Sequence, residues 1–101
     1  MIEGLEKLLM QGKESAELRF GLGNAYLGKG DAAVAVSHLR RAIELKPEYS
    51  AAWKLLAKAL QQSDQNDAAI EAYRLGIAVA QKVGDKQAEK EMQVFLNRLL
   101  R

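Results

Sequence analysis

Residues 18–27, Leu18-Arg19-Phe20-Gly21-Leu22-Gly23-Asn24-Ala25-Tyr26-Leu27, return in pattern at residues 52–61 as Ala52-Trp53-Lys54-Leu55-Leu56-Ala57-Lys58-Ala59-Leu60-Gln61. The offset of 34 residues pairs Leu22 with Leu56 and Ala25 with Ala59, and downstream Ala35 with Ala69, Leu39 with Tyr73 and Ile43 with Ile77. The matches fall on large apolar and small residues, which decide packing. A period of this size marks a supersecondary unit that cannot bury its apolar face alone and therefore stacks on copies of itself.

Each unit reads as a helix hairpin. Leu18, Leu22, Ala25 and Tyr26, then Ala35, Leu39, Ala42 and Ile43, recur at spacings of three and four, one stripe per helix. Between them, Gly28-Lys29-Gly30-Asp31 offers a glycine to close the first helix in a left-handed conformation. Asp31 can then accept the free N–H groups that open the second. The second copy runs from Ala51 to Gln62, breaks over Ser63 to Asp67, and resumes from Ala68 with Ala69, Tyr73, Ile77 and Ala80 on one face. Pro47 separates the hairpins, because it supplies no backbone donor and disfavours helix at the residue before it.

Leu22-Gly23 with Tyr26, Ala35 with Leu39, then Ala42 and Pro47, followed by Trp53, Leu56-Ala57, Leu60, Ala69 and Tyr73, resembles the tetratricopeptide repeat signature. The resemblance spans Ala16 to Val83. It departs where Arg19 replaces a tryptophan, Leu60 a tyrosine, Gly76 an alanine and Gln81 the second proline, whose loss lets the last outer helix run on to about Val83. It implies an all-α, right-handed α-α superhelix of two hairpins, residues 16–49 and 50–83. Gly23, Ala35, Ala57 and Ala69 sit where paired helices approach closely.

The flanks complete the stack. Leu5, Leu8 and Leu9 recur at helical spacing, and Leu5 and Leu9 align with Leu39 and Ile43 at the same offset, so residues 1–13 read as the second half of an earlier repeat. After Gly84 and the candidate cap Asp85, Ala88, Met92, Phe95, Leu96 and Leu99 form one more stripe, and residues 85–101 read as a C-terminal capping helix. The whole is expected to be one domain with a helix covering each end face.

Composition bounds the function. Fifteen basic against thirteen acidic residues give a net charge of +2, and residues 1–49 are neutral, a weak footing for nucleic-acid binding. There is no cysteine, hence no disulfide framework or thiol chemistry. No apolar run approaches the roughly 20 residues a membrane span needs. The expectation is a soluble cytoplasmic protein, a monomer or weak homo-oligomer.

Gly23 to Gly30 matches the spacing of a phosphate-binding loop through its lysine. That chemistry needs a preceding strand and a Ser or Thr after the lysine, whereas Gly30 stands there and the helix stripe runs through it. His38 has no second ligand or nucleophile at helical spacing and reads as a surface residue. Glu89 and Glu91 lack a partner with a chemical role, so no catalytic residue, metal or cofactor is expected.

What remains is a binding surface. In the family, the first helix of each hairpin lines a concave groove, which the resemblance places at Phe20, Asn24 and Leu27 in the first unit and Lys54, Lys58, Gln61 and Gln62 in the second. Lys54 and Lys58 are four apart on one helical face, an arrangement costing an isolated helix about 0.2 to 0.5 kcal/mol, which an anionic ligand would remove. Family members that hold acidic chaperone C-termini grip the carboxylates with asparagine and basic side chains. Asn24, Lys54 and Lys58 resemble part of that clamp, Phe20 stands where the clamp has a lysine, and Lys90 adds a third charge if the last helix stacks as an inner one. The expected function is a non-enzymatic protein-interaction module taking a peptide, acidic or ending in a carboxylate. A self-associating scaffold piece, or an accessory of a larger assembly, is the alternative.

Overall fold

Short polar turns set where each apolar stripe stops. The computed structural model describes residues 1–101 as six helices: α1 (Ile2–Met10), α2 (Ala16–Lys29), α3 (Ala32–Leu45), α4 (Ser50–Gln62), α5 (Asn66–Val83) and α6 (Lys86–Leu99). The Ser15 hydroxyl accepts the Leu18 N–H at 3.0 Å to open α2, and Gly30, at φ 92°, closes it in the left-handed region that a Cβ would crowd. Asp31 accepts the Val34 N–H at 3.4 Å and Asp85 the Ala88 N–H at 3.1 Å, opening α3 and α6. Pro47 lies within the α3–α4 connection, its carbonyl accepting the Trp53 indole N–H at 2.8 Å.

One boundary differs from the sequence pattern. The break expected over Ser63 to Asp67 is shorter, and α5 already begins at Asn66. Asn66 and Asp67 occupy its first turn, where the Asp67 carboxylate lies near the positive end of the helix dipole. At the other end α5 runs to Val83, as the missing proline implies.

Each helix packs on the next in the chain, and α4 also touches both α2 and α6. The outer helices α3 and α5 do not touch each other, so the stack curves with α2, α4 and α6 on its inner side. Its extents of 42 × 28 × 18 Å leave room for two layers of helices, and every helix therefore keeps a face to solvent. Leu22, Leu39, Leu56, Leu60, Tyr73 and Met92 are the largest fully buried side chains. Ala88, Met92 and Leu96 are buried, which makes α6 a third inner helix covering the end of the second hairpin. Cover at the other end is thinner. The helix α1 touches α2 alone and buries no residue completely; Leu5 and Leu9 are half-buried, while Leu8 of the expected stripe is exposed.

The small positions carry the close approaches. A Cβ on Gly23 would come within 2.6 Å of Leu39 Cδ2, so α2 and α3 can meet there only around a glycine. Gly76, where the repeat pattern has alanine, has its own reason: a Cβ there would lie 2.6 Å from Met92 Sδ and 2.9 Å from Trp53 Cβ. Ala35, Ala57 and Ala69 are wholly buried. We expect Ala69→Leu to cost about 1 to 3 kcal/mol by overpacking the seam between α4 and α5. A thermal melt that overlays the parent would place that face of α5 elsewhere.

His38 is not the surface residue its position suggests. It is half-buried, with its ring nearly parallel to that of Tyr26 at 5.6 Å between centroids and Nδ1 3.1 Å from Arg19 Nη1. Arg19, standing where the repeat pattern has tryptophan, fills that place by reaching Glu14 at 2.6 Å and His38 together. Burial, and then the Arg19 charge, lower the His38 pKa. The glycine pattern from Gly23 lies inside α2 with no strand before it, which leaves it a packing feature.

Candidate functional site

The inner helices bring basic side chains of α4 against α6. Asp85 does much of the positioning: one carboxylate oxygen accepts the Ala88 N–H and the other accepts the Ser50 hydroxyl at 2.6 Å, tying the start of α6 to the start of α4. The Ser50 hydroxyl first, and the Ala88 N–H next, hold the Asp85 carboxyl below its ordinary pKa. The sign follows: this cap supports the fold at neutral pH, and its support is lost as acid protonates Asp85.

With those ends fixed, Lys54 Nζ stands 2.6 Å from Glu91 Oε1. That hydrogen bond is the main reason the Glu91 carboxyl is held below its usual range, the Lys58 charge adding a smaller effect. Lys58, one turn along α4, forms no ion pair; its Nζ lies 5.4 Å from the centroid of the Phe95 ring. The Arg98 guanidinium, one turn beyond Phe95 on α6, approaches the same ring at 5.8 Å. Below them Tyr73 packs on Phe95 at 6.0 Å between centroids and donates its hydroxyl to Gln61 Oε1 at 3.2 Å. Burial pushes the Tyr73 pKa up to about 12, so the hydroxyl keeps its proton at neutral pH.

Lys58, Gln61, Gln62, Tyr73, Phe95 and Arg98 together line a depression of about 360 Å³ on the inner side. Its chemistry is a pair of cations without carboxylate partners, an aromatic ring that both approach, and two amide side chains in the lining. Two like charges over one ring repel, and an anion seated between them would reverse the sign of that interaction.

The residues singled out from sequence divide accordingly. Lys58, Gln61 and Gln62 meet in this depression; Lys54 lines a neighbouring recess with Asp85 and Glu91. Phe20 is half-buried, its ring tilted against Tyr49 at 5.1 Å, and Leu27 is half-buried against the core. Asn24 and Lys90 are exposed and lie outside the depression. Sequence reasoning missed Phe95 and Arg98 as site residues. Phe95 sits on the apolar stripe of α6 and was assigned there to the core; the available signal was a cation three residues after an aromatic. No group of His, Asp or Glu side chains is arranged to hold a metal ion, and no helix is long and apolar enough to cross a membrane.

Comparison with known proteins agrees with the helical-repeat fold. The sequence model of the tetratricopeptide repeat family matches residues 26–89. A TPR repeat-containing protein of Pseudomonas aeruginosa is 56% identical over 99 residues, covering 98% of this chain and 94% of the relative. Among solved structures, a protein from Bordetella parapertussis superposes with a TM-score of 0.88 at 44% identity, covering 100% of this chain and 88% of that one. The crystal structure of a tetratricopeptide repeat domain protein from Salinibacter ruber superposes with a TM-score of 0.78 at 27% identity, covering 85% and 96%.

Proposed function

This chain belongs to the tetratricopeptide repeat family, and on that premise we propose that it is a non-enzymatic interaction module whose inner face binds an acidic peptide segment. The single observation that carries the reading is the pair of unpaired cations, Lys58 and Arg98, both within 6 Å of the Phe95 ring in one depression. A carboxylate, either a side chain or a C-terminus, is seated between them, with Gln61 and Gln62 at its rim. From there the peptide runs along α2, α4 and α6, with Asn24, Phe20 and Leu27 toward one end and Lys90 near the other. Lys54 joins the grip only when the incoming carboxylate displaces Glu91, which acts as a stand-in for the ligand until then.

Magnitudes set what such a site can do. A hydrogen bond to a charged group contributes about 1.5 to 3 kcal/mol, and a micromolar complex requires about 8 kcal/mol. Two such bonds therefore fall short and three reach that scale only at their upper limit, so the peptide must also cover the apolar part of the groove. Binding should weaken with salt, since the site is open to solvent.

Calorimetric titration of an Asp- and Glu-rich peptide with a free C-terminus, beside its Asn, Gln and C-terminal amide counterpart, tests the reading. We expect the acidic peptide alone to bind, and Lys58→Ala with Arg98→Ala to weaken it more than about tenfold, one charged hydrogen bond's worth. Glu91→Gln should tighten it by freeing Lys54. Equal binding of the two peptides, or an indifferent double variant, would leave these cations as solvated surface.

A further inference from the structure

On the opposite side of the stack, α3 and α5 do not touch, and the gap between them is an apolar cleft of about 190 Å³ floored by α4. Ile43, Trp53, Ala68 and Leu75 supply much of its lining, and Leu75 remains 46% exposed although it is aliphatic and sits at the edge of the cleft. Two charged residues complete it from opposite walls, Arg40 on α3 and Glu71 on α5. Both are exposed, and neither is among the ion pairs of this chain, whereas Arg41 beside Arg40 is bonded to Glu14 and Glu44.

From these observations we propose that the α3–α5 face is the interface of a two-fold homodimer. A two-fold axis through the cleft exchanges its walls, so that any residue of one copy that meets a second residue of the other is met in return. Opposite charges on opposite walls are self-complementary under that operation: Arg40 of each copy faces Glu71 of the other, making two ion pairs from one pattern. Leu75 of each copy is then covered by the other copy's apolar wall, which removes from water a side chain that the monomer leaves half out. A partner of one charge sign would satisfy only one of the two walls, whereas a second copy satisfies both. The interface is small and belongs with reversible association. It is independent of the acidic-peptide reading, because it uses none of the residues of the inner face.

Sedimentation velocity on the full chain, from low micromolar to millimolar concentration, is the test. We expect a reversible monomer–dimer equilibrium. Arg40→Glu alone sets two acids against each other, Glu71→Arg alone sets two bases, and each should weaken dimerisation more than about tenfold. Mixed in equal amounts, the two variants should associate as a heterodimer, since each then presents what the other lacks. Both sites are on the surface, and unchanged helical circular dichroism separates loss of association from loss of fold. A parent that stays monomeric across the range, or single variants whose mixture associates no better than either alone, would overturn the proposal and leave the cleft to a different occupant.

Discussion

Deleting Asp85 to Arg101 should lower the unfolding free energy by several kcal/mol, the largest effect expected of any change to this chain. Ala88, Met92 and Leu96 are buried against the second hairpin, and removing α6 uncovers Tyr73, which packs on Phe95, and Gly76, which lies against Met92. At about 25 cal/mol per Å² of apolar surface, a few hundred square ångströms suffice for a loss of that size. A small domain holds only about 5 to 15 kcal/mol in total, so the truncated chain should be marginal. The Asp85 tie to Ser50, which is part-buried, and the Lys54 pair with Glu91, which is partly open to solvent, go with the helix, but both are minor beside the packing. Urea denaturation should show a lower midpoint and a smaller slope, since less surface is exposed on unfolding. An unchanged midpoint would mean that α6 does not cap the stack. Deleting α1, which buries no residue completely, should cost much less.

The second large effect lies at the meeting of α2 and α3. Leu39 is wholly buried, and Leu39→Ala should cost about 2 to 5 kcal/mol through lost transfer energy and the cavity left behind. Gly23→Ala should cost about 1 to 3 kcal/mol because its Cβ would run into the Leu39 side chain. The diagnostic is their combination. Truncating Leu39 removes the atoms that the new Cβ would strike, so the double variant should be more stable than the sum of the single losses predicts. Strict additivity in chemical denaturation would show that glycine at position 23 is needed for another reason.

Most of this fold was legible because it is local and repeated. Gly30, Asp31, Gly84 and Asp85 mark helix ends through backbone chemistry that acts within four residues, and the stripe at Leu18, Leu22 and Tyr26 reports one face of one helix. What was not legible depends on partners that only the stack brings together. Gly76 looks like a lapse from the repeat until Met92, from the next helix, is seen against it. Lys54 reads as a free groove cation, yet its partner Glu91 is 37 residues away. Phe95 belongs to the apolar stripe of α6 and is also the ring that both Lys58 and Arg98 approach, and a periodic pattern assigns a residue to only one face. The start of α5 was misplaced because a polar run, Ser63 to Asp67, suits a loop and the first turn of a helix equally well.

The central claim, that the inner face receives an acidic peptide between α4 and α6, is tested most directly by where that peptide touches. In ¹H–¹⁵N spectra of the labelled full chain, titrated with the acidic peptide and separately with its neutral counterpart, only the acidic one should move resonances. The shifts should centre on Lys58, Gln61 and Gln62 of α4 and on Phe95 and Arg98 of α6, weaken with added salt, and leave the α3–α5 face undisturbed. Shifts confined to α3 and α5, or the same inner-face shifts with both peptides, would contradict it.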